Sequence, residues 1–232
     1  MAVRRDYGSF AKATERILPA LVAPHGYEYL GHGFYGTQRS GWLEGFFLQQ
    51  GQWGGGEFCV NMGIHVPNLS VRWMDLDADA WDLAIAFRLS ERGADEGDQW
   101  LPATNKAELA QSLETVASWL PVVDPWFAQF QSMLDVARVY RSRTNLTTLG
   151  SNEWHHQLNA ANYGFLLAEA GETSEARLWL QEAERLMSLP VYFIQGGGMV
   201  HEKVKGARLQ KASVDEISQL KAVRKSLREL AR

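Results

Sequence analysis

From Phe58 to Val66 apolar side chains occupy every second position, and this alternation constrains the first half of the chain more than any other feature. Successive residues of a strand point to opposite faces, so Phe58, Val60, Met62, Ile64 and Val66 form one face, while Glu57, Cys59, Asn61, Gly63 and His65 take the other. An apolar face of that length needs a cover. The preceding residues, from Trp42 to Gln50, read as a second strand entering the glycine-rich turn GQWGGGE at 51–57. Residues 42–66 are therefore expected to be a hairpin around which the neighbouring elements are arranged.

Upstream, Phe10, Ala13, Ile17 and Leu21 recur at helical spacing and predict an amphipathic helix over 8–23, kinked at Pro19 because proline removes an interior hydrogen bond. Residues 27–35 are expected to be a single strand with a bulge or close backbone approach at Gly31 and Gly33. Downstream, Trp81, Leu83, Ile85, Phe87 and Leu89 alternate with smaller or polar residues as a fourth strand. The economical arrangement is an α+β domain, an antiparallel β-meander of about four strands with helices packed on one face.

Near residue 105 the period becomes helical. Leu109, Leu113, Val116 and Leu120 form one stripe, Asn105 and Glu108 resemble a capping box, and Pro121 stops the helix. Asp124-Pro125 is a second start, an N-cap followed by proline, with a stripe continuing to about 141. The polar stretch 142–150 reads as a linker dividing the α+β domain, 1–141, from an all-helical C-terminal segment, 151–232. In that segment Gly164, Gly171, Ala176, Leu180 and Ala183 have the spacing of a single tetratricopeptide-like helical hairpin, which must pack on something else to bury its faces. Ser213 with Glu216 opens a last helix carrying Ile217, Leu220, Val223, Leu227 and Leu230.

A chain of 232 residues buries roughly 70% of its unfolded surface, enough for a core without staples. The N-terminal residues lack the apolar core of a signal peptide, and no apolar run reaches the ~18 residues of a membrane span, so the expected location is cytoplasmic with no membrane contact. The single cysteine, Cys59, excludes an internal disulfide and a cysteine-built zinc cluster. Charge is unevenly placed: after position 198 nine basic residues face four acidic ones, so this segment is +5 and the remainder, in a chain of net −4, is −9. Such a tail can meet an acidic partner or lie back on its own body.

The chemistry-bearing patterns fail on spacing. Asp75, Asp77 and Asp79 have the start of a calcium loop, but Ala80 and Ala86 stand where its glycine and closing glutamate belong. Cys59 and His65 share a strand face at six residues' separation, roughly 20 Å, too far for a nucleophile and its base. His155 and His156 are adjacent on a helix and point apart, which is wrong for a metal pair. The glycine runs at 51–57 and 195–199 lack the lysine and the strand-to-helix setting of a phosphate loop. No catalytic residue, cofactor or metal is therefore expected. The candidate binding surface comprises Asn61, His65, Trp53, Trp73, Lys203, Arg224 and Arg228.

An N-terminal helix, Gly26-Tyr27, Phe34, a strand ending in Gln49-Gln50 and the strand FCVNMGIHV follow one another in an order that resembles the bacterial domain of unknown function numbered 4304. Phe58, Val60, Asn61, Met62 and Gly63 fill that family's phenylalanine-valine-asparagine-leucine-glycine signature, with Cys59 and Met62 as departures, and the resemblance covers roughly residues 8–134. It implies a fold and supplies no catalytic residue. The functional expectation is a non-enzymatic protein-binding protein, immunity-like in that it would neutralise a toxin. The alternatives are an enzyme whose site gathers Cys59, Asn61 or His65 with His155, His156 or Glu153, and nucleic-acid binding through the basic segment 203–232, with nucleic acid the less expected partner.

Overall fold

The computed structural model describes residues 8–51, 56–67, 69, 83–94, 99–144, 146, 156–193, 199–200, 203, 205 and 207–232. Trp53, Trp73, the three aspartates at 75–79, Trp81, Glu153 and His155 lie outside the described residues, as does most of 142–150. By its internal contacts the chain divides into two compact units, the first running to Asp135 and the second from Val136 to Arg232.

The first unit opens with α1 (Phe10–Val22), which contains Pro19. Its buried line is Phe10, Thr14, Leu18 and Val22, four residues apart, with Ala13 beside it. Ile17 and Leu21, expected at the centre of the stripe, are only half-buried because they sit at its border. Gly26, at φ 81°, ends the turn after α1. Its amide donates to Ala23 and the next amide, of Tyr27, to Val22, a left-handed closure that glycine adopts without strain.

Residues 27–35 are not one strand. They form the hairpin β1 (Glu28–Gly31) and β2 (Phe34–Gln38), turned at Gly31, His32 and Gly33, all three at positive φ. The two glycines mark a reversal, two of whose three turn positions carry no Cβ penalty, and the β1–β2 register also shifts between Tyr29 and Gly31, so the expected irregularity at Gly31 is present beside the turn. β3 (Leu43–Gln50) and β4 (Glu57–His65) are the expected central hairpin, paired from Leu43 opposite His65 to Gln50 opposite Phe58. β5 (Ile85–Ser90) is the expected alternating strand with a later start, since Leu83 and Ala84 precede it without strand structure, and β1 to β5 pair antiparallel in sequence order. Two short strands, β6 (Gly93–Ala94) on β5 and β7 (Leu101–Pro102) on β4, complete the sheet.

The sheet's core face is the expected one. Phe58, Val60, Met62 and Ile64 are fully buried, and Val66 nearly so. Phe10 of α1 meets Phe58 at 5.3 Å between ring centroids. Tyr35 stacks on Phe46 at 5.4 Å, and Tyr27 meets the same ring edge-on. Burial, reinforced by the charges of Asp124 and Glu44, pushes the Tyr27 phenol well above its ordinary pKa. α2 (Lys106–Trp119) contacts α1 and turns Leu109, Leu113 and Val116 inward. Asn105 caps it by accepting from the Glu108 amide, but the Glu108 carboxylate goes to the amide and hydroxyl of Thr104, so the return half of the expected box is displaced by one residue. Those bonds hold the Glu108 carboxyl below its usual range.

After Pro121 the helix does not run unbroken to 141. α3 (Asp124–Phe127) is a single turn with Val123, not Asp124, at its N-cap, and α4 (Met133–Arg143) begins anew. Ser132 and Asp135 exchange hydrogen bonds at the restart, an arrangement that competes with continuous helix. Trp126 and Phe127 still reach the sheet, packing on Phe87 at 4.4 and 6.4 Å.

In the second unit α5 (His156–Glu169) and α6 (Thr173–Met187) form a helical hairpin. Gly171, at φ 82°, closes α5: its amide donates to Ala168 and that of Glu172 to Leu167. Gly164 lets the helices touch, since a Cβ there would stand 2.7 Å from the Leu180 Cγ. Arg141 lies 5.6 and 5.8 Å over the rings of Tyr163 and Trp179, and Tyr163 donates to Glu175. The segment expected to be wholly helical also carries three two-residue strands, β8 (Tyr192–Phe193), β9 (Met199–Val200) and β10 (Arg208–Leu209), with β8 in the middle. α7 (Val214–Glu229) follows, with the expected Ser213–Glu216 capping box complete. No described helix is long and apolar enough to cross a membrane.

Candidate binding surfaces

Asn61 and His65 stand on the face of the sheet opposite α1, as the alternation of β4 requires. Three glycines, Gly36, Gly45 and Gly63, lie side by side across β2, β3 and β4 on that face. The Phe34 ring rests on two of them: a Cβ at Gly36 or Gly45 would come within 2.7 or 2.5 Å of it. His65 flanks this ring at 6.4 Å. At the other end of the face, one Arg88 nitrogen, Nη1, donates to Asn61 Oδ1 (2.5 Å), Cys59 Sγ (2.9 Å) and Gln49 Oε1 (3.1 Å). Asn61 Nδ2 donates to the same Gln49 oxygen at 3.1 Å.

This geometry corrects the expectation of a half-open strand. Cys59 is completely buried, because Arg88 and Gln49 close over its sulfur. Cys59 and His65 are not brought together: one is held by Arg88, the other lies against Phe34, and Asn61 and Gly63 separate them along β4. Among the described residues no cluster of three or more histidine, cysteine or carboxylate side chains could hold a metal ion. The hydrogen bonds of the face hold Asn61 between Gln49 and Arg88.

The second surface is built by α6, α7 and the chain between them. α7 lies on α6 through Val223, its one fully buried side chain among the described residues, and through an ion pair between Arg224 Nε and Glu184 Oε1 at 2.8 Å. Towards the N-terminal half of α7 the helices leave a cleft of about 360 Å³. Its walls are Leu186, Leu189 and Pro190 on one side and Ile217 and Leu220 on the other. Gln210 also lines it, and the Gln210 Oε1 atom is buried without a hydrogen-bond partner. Ile217, in the wall, is 44% exposed, and Val214, one turn before it on α7 and outside the lining, is 79% exposed.

The expected surface residues thus divide between the two units. Asn61 and His65 belong to the first. Lys203, Arg224 and Arg228 belong to the second and are exposed, with Arg228 donating to the Arg224 carbonyl. Arg88 and Gln49 were not anticipated, although an arginine inside an alternating strand was a legible signal. Gln210 offered no such signal. Comparison with family models, curated proteins and solved structures gives no match.

Proposed function

We propose that this protein acts by binding another protein, without chemistry of its own, and that the α6–α7 face is the surface that docks. The observation that carries this reading is an apolar cleft whose wall residue Ile217 is partly exposed and whose apolar surface Val214 extends by one turn along α7. Apolar patches rimmed by charge are the raw material of protein interfaces. The form we favour is immunity-like, the capture of a toxin: residues 1–198 carry −9 and the following segment +5, so a partner of complementary layout would be steered and oriented. Membership of the first unit in the family of unknown function numbered 4304 is part of the proposal, supported by an N-terminal helix covering a β3–β4 hairpin that bears Gln49-Gln50 and the FCVNMG strand. Nucleic acid is the weaker reading of the basic segment after position 198, because its nine cations are interspersed with four acids, Glu202, Asp215, Glu216 and Glu229, and it lacks the interleaved aromatics of a single-strand binder.

The test is capture from the native cell with tagged full-length chain, comparing wild type, Ile217→Asp and a control, Val122→Asp, at an exposed site of the first unit. One stoichiometric protein partner, kept by the control and lost with Ile217→Asp, is the expected result. A partner retained by Ile217→Asp would place the interface elsewhere, and recovery of no partner would overturn protein binding altogether.

A further inference from the structure

We infer that the α6–α7 cleft receives an acidic amphipathic helix, whose apolar side chains enter the cleft while its carboxylates meet the cations of α7. This rests on the protein-binding reading of that face and adds the chemistry of the partner. A small ligand enclosed in the cleft would leave Val214 standing in water, whereas an extended occupant covers it together with Ile217. Val214 and Ile217 are one turn apart on α7.

Charge then selects among extended occupants. At 100° per residue, Arg224 and Arg228 fall within about 20° of the line through Ile217, and Lys221 within about 40°. The apolar stripe of α7 therefore runs on into an exposed cationic one. Arg224 uses its Nε for Glu184, and its guanidinium has further donors. A second copy of this chain would bring like cations face to face, and a nucleic acid would have no use for the apolar walls. Gln210 Oε1, buried and unpartnered, is an acceptor that an occupant's donor would satisfy.

The experiment uses two labelled synthetic helices of about 18 residues, five turns long, each with leucines on one face and either glutamates or lysines on the other. Fluorescence anisotropy measures their binding to the full chain at low and high salt. The glutamate helix is expected to bind, more weakly as salt rises, with the lysine helix at least about tenfold weaker. Ile217→Asp should abolish binding, and the double reversal Lys221→Glu with Arg228→Glu should invert the preference, with circular dichroism and melting unchanged in both variants. Equal binding of the two helices, or a preference untouched by the reversal, would overturn the inference. Loss of a native partner on Ile217→Asp with neither helix bound leaves protein binding standing and removes the acidic helix as occupant. A dimer in sedimentation that Ile217→Asp dissociates identifies the occupant as a second copy and likewise ends the inference.

Discussion

α1 and α7 carry similar apolar stripes in the sequence, yet the chain treats them differently. α1 buries Phe10, Ala13, Thr14, Leu18 and Val22, seats Phe10 on Phe58, and is tied to the sheet's edge by Tyr29, whose hydroxyl donates to Glu15 at 2.7 Å. α7 fully buries Val223 alone among its described residues and is fastened by the Arg224–Glu184 pair, leaving Val214 and Ile217 uncovered. Helical spacing announces that an apolar face exists. It does not say how much of that face the same chain will cover, and the uncovered remainder is where a partner is sought.

The contrast can be tested by mutation, beginning where burial is deepest. Met62→Asp puts an unpaired carboxylate into the covered face of β4 and should lower stability by more than about 2 kcal/mol in thermal unfolding; an unchanged melt would mean that the strand presents its other face to the helices. Gly164→Val places a branched side chain where even a Cβ is 2.7 Å from Leu180 Cγ and 3.2 Å from the Leu180 amide nitrogen, so the α5–α6 hairpin should lose about 2 kcal/mol, and Gly164→Ala less. Arg39→Met removes the 2.8 Å partner of Glu44, a carboxylate buried on the core face with Trp42 Nε1 as its other donor, and should cost about 1–2 kcal/mol. Both units should be sensitive to alkali, but the first more so. Its Tyr27 and Tyr35 are raised mainly by burial, so they keep their protons in the folded state while the unfolded chain loses them near its ordinary value of about 10; stability is complete below that pH and falls above it. Tyr27→Phe should flatten part of that decline in pH-dependent melting. The smallest effect belongs to Ile217→Asp, within about 0.5 kcal/mol on folding, because the side chain already meets water.

How far the sequence can be read follows from the same distinction. The β3–β4 hairpin, the inward set of β4, most of β5 and the start of α7 were legible because each depends on neighbours within a few residues: alternation, a glycine turn, a capping box. The β1–β2 reversal was hidden because a histidine, unlike a glycine, does not announce positive φ by its chemistry, and the flanking glycines fit a bulge as well as a turn. The break between α3 and α4 lies in competing side-chain bonds of Ser132 and Asp135 that no period records. Neither candidate surface was fully visible. Arg88 reaches Asn61 and Gln49 only once β3, β4 and β5 are in register, and Gln210 becomes a buried acceptor only through the packing of α7.

The row of three glycines, two of them beneath Phe34, also bears on how the sheet finds its alignment. A slip of one residue between β2 and β3 would turn the apolar face outward and be rejected at once, but a slip of two keeps every side chain on its proper face, and alternation cannot tell it from the native pairing. Gly36 would then lie opposite Leu43 or Phe47 instead of Gly45, and the Phe34 ring would meet a side chain where it now finds bare backbone. The glycine row thus works as a notch cut for one key: a Cβ at Gly45 would collide with the Tyr35 carbonyl oxygen and one at Gly63 with that of Ile85, so filling the notch with alanines should prise β2 from β3 and β4 from β5.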